Sequence, residues 1–400
     1  MIFPKIETNR LAIKLKPAAE RMVKRGHPWI FDEGIVKQSA EGKAGDLAII
    51  FDQKKNKFLA CGLYDPDSPI RIKIIQFQTS ANINGDFFRE KITKAHDIRQ
   101  PLLATQTNSY RLIYGENDSF PGLIADVYAD VLVLKLYSWI WLPYLNDILT
   151  HLVQISSCKT VVLRLSRKLE NNTLGLSDGQ VIFGTLEDEV VIFQEHGLRF
   201  AANVIRGHKT GYFLDHRENR RRVGELSKGK TVLDVFAYAG GFSVHALVGG
   251  ASAVTSLDIS AQALLIAEQN AAFNPHTGTH KTIAADAFAA LDDLAAERKT
   301  YDIVVIDPPS FAKRAKEIDK AKHSYRRLAI LGAKLVRKGG ILVLASCSSR
   351  INPDDFFEIC ETAIASVRHS NELMEQTFHD IDHPIAFPEG AYLKCGYWRL

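Results

Sequence analysis

Residues 231–243 read TVLDVFAYAGGFS, which predicts a buried strand, a tight loop and the start of a helix. The loop lacks the Gly-x-Gly-x-x-Gly spacing, so a pyrophosphate cradle of the nicotinamide type is poorly supported. Gly240 and Gly241 still permit close approach of the backbone to a ligand. Asp234 ends the strand with a carboxylate that could orient an ammonium group or a bound water. The stretch therefore predicts a small-molecule site at the end of a strand.

Strand-like and helical segments alternate from about residue 191 onwards. The strand-like runs are 231–235, 253–257, 281–284, 301–306 and 340–345, and helical stretches include 261–274 and 323–336. This alternation predicts a parallel, doubly wound sheet. In such a sheet, ligands and catalytic groups gather in the loops that follow the carboxyl ends of the strands.

Two further acids follow predicted strands in this region. Asp258 comes after the second strand, where a carboxylate can accept hydrogen bonds from both hydroxyls of a ribose. Asp286 follows the third strand and could accept from an adenine amino group, with Ala287 or Phe288 against the ring. A single aspartate at such a place is also a common helix cap, so each acid alone is weak support.

Two short motifs complete the pattern, DPPSF at 307–311 and SCSS at 346–349, each directly after a predicted strand. Three aspartates in order followed by Asp-Pro-Pro resemble the class I S-adenosylmethionine-dependent methyltransferases. The resemblance implies that Asp258 binds the ribose and Asp286, beside Ala287, the adenine. It places Gly240 at the amino-acid portion of the cofactor.

The stretch RGHKTGYFLDHRENRRR at 206–222 closely resembles another block of the same family. The resemblance implies that this block packs over S-adenosylmethionine. The nearest side chains would be Lys209, Tyr212, Phe213 and Arg217. We also expect Asp234, Tyr238 and Asp307 to line the cofactor site, with Phe236 and Tyr238 standing where the family pattern has glycine.

Over its whole length, the chain resembles the RlmI (YccW)-type 23S ribosomal RNA cytosine-C5 methyltransferases. The resemblance implies that Cys347 is the nucleophile that adds to carbon 6 of cytosine and that Asp307 assists at N3. A thiol suits this covalent role because it ionises readily and is polarisable. Many related enzymes carry a second cysteine where this chain has Ser310; the RlmI type also lacks it. The base that removes the carbon 5 proton is not identified.

The sequence predicts three domains and an α/β fold class. Residues 1–75 resemble a PUA domain, a small β-barrel usually associated with RNA, and residues 76–190 form a central α+β domain with a helix over 87–100 that ends at Pro101. Residues 191–400 form the doubly wound, Rossmann-like methyltransferase domain.

Composition favours a cytoplasmic protein and is compatible with binding to nucleic acid. Hydrophobic residues make up 46% and charged residues 24% of the 400, which is usual for a folded protein without membrane spans. Five scattered cysteines and no signal-peptide pattern indicate a reducing compartment. The net charge is +4. Basic clusters that could follow phosphates, each more often a solvated surface, are Lys24-Arg25, Arg220–Arg222, Lys313-Arg314 and Arg326-Arg327. The family resemblance implies an RNA partner, large-subunit ribosomal RNA, and the sequence leaves a homodimer open.

Two alternative functions are compatible with these motifs. An exocyclic-amine methyltransferase of the guanine N2 type uses (Asn/Asp)-Pro-Pro-aromatic, but here Ser310 intervenes before Phe311. Such an enzyme would not need Cys347. A non-catalytic RNA-binding factor would rely on the PUA-like region alone, and the intact set of strand-end aspartates argues against it.

Overall fold

The structure is a computed structural model that describes residues 3–312 and 314–400. The chain forms two compact units. The first comprises Met1–Gln194, Ala202–Leu214 and Ile381–Gly390. The second comprises Glu195–Ala201, Asp215–Asp380 and Ala391–Leu400.

The first unit begins with a six-stranded sheet. Its elements are β1 (Arg10–Leu15), α1 (Pro17–Lys24), β2 (Trp29–Phe31), β3 (Ile35–Gln38), β4 (Leu47–Phe51), β5 (Phe58–Tyr64) and β6 (Ile70–Phe77). The strand order is β2-β6-β5-β4-β1-β3, and the β1–β4 pair is parallel. The period-two alternation that predicted a strand around Leu11–Leu15 is confirmed, since Leu11, Ile13 and Leu15 are buried.

A five-stranded sheet follows in the same unit. Its elements are α2 (Gly85–Leu103), β7 (Ser109–Tyr114), β8 (Leu123–Tyr128), β9 (Val131–Leu136), α3 (Leu145–Ser156), β10 (Thr160–Leu165) and β11 (Gln180–Phe183). The predicted end of the helix at Pro101 is wrong, because α2 continues to Leu103. Pro101 lies in the last turn, where the loss of one backbone donor removes little of the helix.

The hydrophobic core of the first unit joins side chains from both sheets. Phe3, Leu63 and Ile75 belong to the same buried cluster as Phe88 and Trp141. The boundary predicted at residues 75 and 76 therefore separates two sheets that share a core, and the three-domain division stays a prediction. Two further strands, β12 (Val190–Glu195) and β13 (Leu198–Asn203), form a separate two-stranded sheet.

The second unit contains a seven-stranded sheet. Its elements are α4 (Arg217–Leu226), β14 (Thr231–Val235), α5 (Gly241–Val248), β15 (Ala253–Asp258), α6 (Ala261–Ala272), β16 (Thr279–Ala284), α7 (Ala287–Ala296), β17 (Tyr301–Ile306), α8 (Ile318–Leu335), β18 (Val336–Ser346), α9 (Pro353–Ala365), β19 (Glu372–Thr377) and β20 (Lys394–Arg399). The strand order is β16-β15-β14-β17-β18-β20-β19.

The first five strands of this order run parallel, which confirms the predicted doubly wound sheet. β18–β20 and β20–β19 pair antiparallel. Ile303–Ile306 in β17 are all buried, as expected for a strand covered on both faces by helices. From β14 the chain adds β15 and β16 on one side and then β17 and β18 on the other. A ligand is expected at such a switch point, at the carboxyl ends of β14 and its neighbours.

Candidate active site

The carboxyl ends of three parallel strands bring predicted acids to one edge of the sheet. Asp234 lies in β14, one residue before its end, Asp258 is the last residue of β15, and Asp307 directly follows β17. β14 pairs with both β15 and β17, so the three carboxylates belong to neighbouring strand ends. This is the edge at which an open parallel sheet binds ligands.

The loop after β14 keeps a backbone shape that glycine normally provides. Phe236, Tyr238 and Gly240 have φ angles of 64°, 48° and 75°. For a non-glycine residue this left-handed conformation costs about 1–2 kcal/mol. A Cβ atom on Gly240 would lie 2.7 Å from the Cβ of Ala267 on α6. The two aromatic residues thus adopt a backbone conformation that favours glycine, and Gly240 allows close packing on α6.

Asp234 presents a buried oxygen that is suited to a cationic ligand group. Its Oδ2 accepts hydrogen bonds from the backbone N–H of Ser243 (3.0 Å) and from the Ser243 hydroxyl (2.6 Å). Its Oδ1 is buried and has no hydrogen-bond partner within residues 3–312 and 314–400. Burial raises the pKa of Asp234 to about 7, and the carboxylates of Asp307 and Asp258 add to this rise. An ammonium group, such as that of S-adenosylmethionine, would satisfy Oδ1.

Asp258 and Asp286 also serve the local backbone. Asp258 is half-buried, and its oxygens accept from the backbone N–H groups of Tyr238 (2.9 Å) and Ser260 (2.8 Å). Asp286 is exposed and caps α7 by accepting from the N–H of Ala289 at 3.1 Å. The helix-cap interpretation of Asp286 is therefore correct. A carboxylate has two oxygens, so a cap does not preclude the adenine contact.

Three side chains meet where β17 and β18 end. The Cys347 sulfur lies 3.9 Å from Asp307 Oδ1 and 3.6 Å from His216 Nε2. His216 Nε2 lies 3.3 Å from the same Asp307 oxygen. The two residues that the sequence paired as nucleophile and N3 partner therefore lie side by side, and a histidine contacts both.

His216 is a functional candidate that the sequence did not single out. Its side chain is only 3% exposed, whereas that of Asp307 is 23% exposed. Burial opposes protonation of His216, but the nearby carboxylates of Asp307 and Asp215 outweigh it and raise its pKa. The sequence feature that could have pointed to His216 is its position within the block 206–222, beside Arg217. Nothing in the spacing could place it against Cys347, which is 131 residues away.

The three ligand-type atoms of His216, Asp307 and Cys347 all lie within 4.8 Å of one another. A single metal ion could contact all three at this spacing. The sequence predicts Cys347 as a nucleophile, a role that needs an uncoordinated sulfur, so we assign no metal to this group.

Cys347 differs from the other four cysteines in exposure. It is half-buried, whereas Cys61, Cys158, Cys360 and Cys395 are buried. Burial raises the pKa of Cys61 to about 12 and that of Cys158 to about 11. Cys347 is thus the cysteine best placed for chemistry with an outside substrate.

A buried lysine holds the loop that carries Cys347. The Lys394 ammonium donates to the backbone carbonyl of Ser348, and to those of Ile351 at 2.6 Å and Tyr392 at 3.1 Å. Burial lowers the pKa of Lys394 to about 8. The ammonium thereby fixes the backbone immediately after Cys347.

The side chain of Phe311 is engaged within the second unit. Its ring centroid lies 5.2 Å from that of Tyr325 and 6.4 Å from that of Phe288. An amine methyltransferase of the type considered above stacks this aromatic residue on the target base. The packing of Phe311 against Tyr325 gives no support to that role.

The block 206–222 divides between the two units. Lys209, Tyr212 and Phe213 belong to the first, where the Lys209 ammonium lies 4.3 Å from the Phe213 ring centroid and the Tyr212 N–H donates to the Tyr128 hydroxyl. Arg217 belongs to the second, where it is fully buried and 3.6 Å from Asp380. The cofactor contacts of these four residues stay predictions.

Several basic residues proposed for phosphate are already paired. The prediction that Arg220 lies on the surface is wrong, because it is buried and forms a two-pronged ion pair with Glu195, at 2.6 and 2.7 Å. Lys24 pairs with Glu20 and Asp52, and Arg327 pairs with Asp292. Lys313 lies outside the described residues. Arg25, Arg314 and Arg326 are exposed, and their contact with phosphate stays a prediction.

Comparison with known families matches two parts of the chain. The family described as S-adenosylmethionine-dependent methyltransferase matches residues 115–390. A PUA-like domain family matches residues 13–77. None of the helices within the described residues is long and apolar enough to cross a membrane.

Curated relatives match almost the full length. A protein of Deinococcus radiodurans named ribosomal RNA large subunit methyltransferase is 42% identical and covers 100% of both chains. One of Shewanella frigidimarina named ribosomal RNA large subunit methyltransferase I is 36% identical over 96% of this chain and 98% of its own. A solved Streptococcus mutans structure, described as a S-adenosylmethionine-dependent methyltransferase, has the same fold, with a TM-score of 0.81 and 20% identity, covering 97% of this chain and 100% of that one.

Proposed function

This chain belongs to the S-adenosylmethionine-dependent methyltransferase family, and we propose that it forms 5-methylcytosine in large-subunit ribosomal RNA through a covalent adduct of Cys347. The relatives named as ribosomal RNA large subunit methyltransferases support the substrate class. The PUA-like match at residues 13–77 supports RNA binding. S-adenosylmethionine is the cofactor, and when bound it supplies an electrophilic methyl group.

The observation that carries the proposal is the distance of 3.9 Å between the Cys347 sulfur and Asp307 Oδ1. Carbon 5 of cytosine is a poor nucleophile until a nucleophile has added to carbon 6. Carbon 6 and N3 belong to one ring, so the reaction needs a thiol and a carboxyl group in the same pocket. Methylation of an exocyclic amine has no use for this thiol.

Residues of the cofactor loop fit the group that they would hold. The buried, unpartnered Oδ1 of Asp234 is suited to the ammonium of the amino-acid portion, and Gly240 lies in the loop that follows β14. Asp258 is suited to the ribose hydroxyls, and Asp286 with the buried Ala287 to the adenine. Tyr238 and, from the block 206–222, Lys209, Tyr212, Phe213 and Arg217 complete the proposed set, together with Asp307.

Cys347 and Asp307 share the covalent chemistry. The thiol proton passes to the Asp307 carboxylate, and the sulfur electron pair forms a bond to carbon 6. The ring electrons move onto N3, which takes the proton back from Asp307, and carbon 5 becomes an enamine carbon. Once carbon 5 has gained its methyl group, N3 gives its proton back to the Asp307 carboxylate. A base that is not assigned here removes the carbon 5 proton, the electron pair of that C–H bond re-forms the double bond between carbons 5 and 6, and the carbon–sulfur bond breaks with its electron pair on sulfur. Asp307 then returns its proton to the thiolate, which restores both groups.

Ribosomal RNA as the partner implies action in the cytoplasm. A homodimer stays an open prediction, which light scattering of the purified protein would decide.

The test is nucleotide-resolved mapping of 5-methylcytosine in RNA from cells with and without this protein. We expect one mark in large-subunit ribosomal RNA to disappear. The native gene and a Ser349→Ala variant should restore it, because Ser349 is exposed beside the site. Cys347→Ala should not restore it. A map without any lost cytosine mark would favour amine methylation, and absence of any lost methyl group would favour a non-catalytic RNA-binding factor.

A further inference from the structure

A single N–H group of His216 lies within reach of both reacting side chains. Its Nε2 atom is 3.3 Å from Asp307 Oδ1 and 3.6 Å from the Cys347 sulfur. The imidazole is buried, and its ring centroid lies 5.7 Å from that of Phe242. Water therefore has little access to the side of the ring that faces away from the site.

The other ring nitrogen fixes where the proton lies. His216 Nδ1 is 3.1 Å from the amide nitrogen of Asn219, which can only donate. The amide oxygen of Asn219 accepts from the hydroxyls of Thr377 (2.5 Å) and Tyr397 (3.0 Å), which set the amide orientation. Because Nδ1 accepts, the proton of neutral His216 lies on Nε2, between Asp307 and Cys347.

We propose that His216 is a positioning residue whose Nε2–H, oriented by Asn219, stabilises negative charge on either Asp307 or Cys347 as the thiol proton moves between them. This inference rests on the proposed covalent function. Before the transfer, the charge lies on the Asp307 carboxylate. In the transfer the S–H bond breaks, an O–H bond forms and the electron pair stays on sulfur. His216 gains and loses no proton.

The electrostatics of the pair show why such a donor is needed. An ionised Asp307 beside the sulfur opposes formation of a second negative charge there. A donor shared by both atoms favours the anionic form of whichever carries the charge. The charged groups that act on His216 itself are Asp307, Asp215 and Arg220. Asp307 and Asp215 raise the pKa of His216, but a second proton on Nδ1 would face the Asn219 amide nitrogen, so this contact favours the neutral ring.

Alkylation of Cys347 by iodoacetamide against pH tests this in the full-length protein, without RNA or cofactor. The other four cysteines are buried, and a Cys347→Ser protein provides the blank. EDTA is added to all buffers to remove thiophilic metal ions. We expect His216→Phe, which keeps a ring but no donor, to raise the pH midpoint of alkylation by about one unit. His216→Gln offers an amide N–H and should recover most of the difference.

Two further variants guard against a purely structural effect. His280→Phe removes a half-buried histidine that is hydrogen-bonded to Ser256, and should leave the midpoint unchanged. Tyr397→Phe removes one hydroxyl that orients Asn219 and should shift the midpoint in the same direction as His216→Phe by a smaller amount. If His216→Phe does not fold, Tyr397→Phe decides the matter.

Methyl transfer to ribosomal RNA from cells lacking the protein provides the second readout. We expect His216→Phe to lower kcat about 10-fold or more with little change in KM, and His216→Gln to restore it. An unchanged alkylation midpoint in both His216→Phe and Tyr397→Phe would overturn the proposal. So would a His216→Gln protein that stalls as a covalent RNA adduct, because that result makes His216 the base for the carbon 5 proton. Full methyl transfer by Cys347→Ser would instead overturn the proposed covalent function.

Discussion

The loop after β14 and the loops after β17 and β18 reach the same edge of the sheet, but they are held in place by different means. The first takes its shape from its own backbone, with left-handed φ angles at Phe236, Tyr238 and Gly240. The loops after β17 and β18 are held by contacts between side chains far apart in sequence, since His216 contacts Cys347, which lies 131 residues away. Local geometry thus builds the proposed cofactor site, and long-range contacts build the proposed reacting site.

Removal of the Asp307 carboxylate is expected to have the largest effect on the reacting side. Asp307→Asn keeps the size of the side chain but cannot take the thiol proton and return it to N3. We expect kcat for methyl transfer to fall about 10²–10⁴-fold, the usual range for loss of a general acid or base. Asp292→Asn, at an exposed position on α7, is the control and should keep full activity. Activity within 3-fold of the native protein would remove Asp307 from the mechanism.

On the cofactor side, the largest effect is expected at Asp234. Its pKa is raised to about 7 by burial, so the carboxylate is protonated at lower pH and can pair with an ammonium only when ionised. Cofactor affinity of the native protein should therefore rise relative to that of Asp234→Asn as pH increases from 6 to 8. Above pH 7 we expect Asp234→Asn to lose about 2–3 kcal/mol of binding free energy, a charge-assisted hydrogen bond. Calorimetry at several pH values measures the dissociation constants of S-adenosylmethionine for the native protein and for Asp234→Asn. If the ratio of these two constants does not change with pH, Asp234 does not pair with the ammonium group.

The Asp234 carboxyl group should also make the free energy of unfolding fall with increasing pH, whereas cofactor affinity rises. A folded-state pKa above the unfolded value means that the folded protein binds more protons between about pH 4 and 7. The free energy of unfolding contributed by Asp234 therefore falls as pH rises through that window. Chemical unfolding of the native protein and Asp234→Asn should show the variant gaining relative stability towards pH 7. A constant difference across the window would contradict the raised pKa.

A smaller effect is expected from a methyl group at Gly240. Gly240→Ala combines a left-handed residue with a Cβ 2.7 Å from Ala267, whereas Gly339→Ala has the same φ of 75° and no atom within 4 Å. Gly339→Ala should lower the free energy of unfolding by about 1 kcal/mol, and Gly240→Ala by about 1–2 kcal/mol more, because of the clash. Equal losses in thermal unfolding would show that the packing on α6 contributes nothing.

The smallest effect is expected at Asp286, where two roles can be separated. Asparagine caps a helix about as well as aspartate, so Asp286→Asn should change the free energy of unfolding by less than about 0.5 kcal/mol. The asparagine side chain has an amide nitrogen in place of one carboxylate oxygen, and this nitrogen cannot accept from the adenine amino group. Cofactor affinity of Asp286→Asn should therefore fall a few-fold. Unchanged affinity with unchanged stability would leave Asp286 as a cap alone.

Each predicted strand and helix of the parallel part of the second unit is present, with ends that differ by up to five residues: the helix predicted over 323–336 is α8 (Ile318–Leu335), and the strand predicted over 340–345 is β18 (Val336–Ser346). The runs 231–235 and 301–306 coincide with β14 and β17, and the stretch 261–274 differs from α6 only at its end. Buried parallel strands are continuous apolar runs, and their helices carry local caps, so both signals lie within a short window. The acids that follow these strands were found for the same reason.

The contacts that the sequence could not supply are those made between distant segments. His216 and Arg220 lie in one basic stretch, which in isolation predicts a solvated helix face. Glu195 buries Arg220, and the ends of β17 and β18 bury His216. Charge patterning within one helix contains no information about carboxylates that arrive from other elements.

The most direct test of the central claim is covalent capture by RNA that contains 5-fluorocytidine at the mapped position. Fluorine cannot leave carbon 5 as a proton does, so an adduct of the thiol with carbon 6 would persist after methyl transfer. We predict a denaturant-resistant protein–RNA complex whose cross-linked peptide contains Cys347, and no such complex with Cys347→Ser. Methylation of the RNA without any covalent complex, or an equal amount of complex with Cys347→Ser, would contradict the proposed role of Cys347.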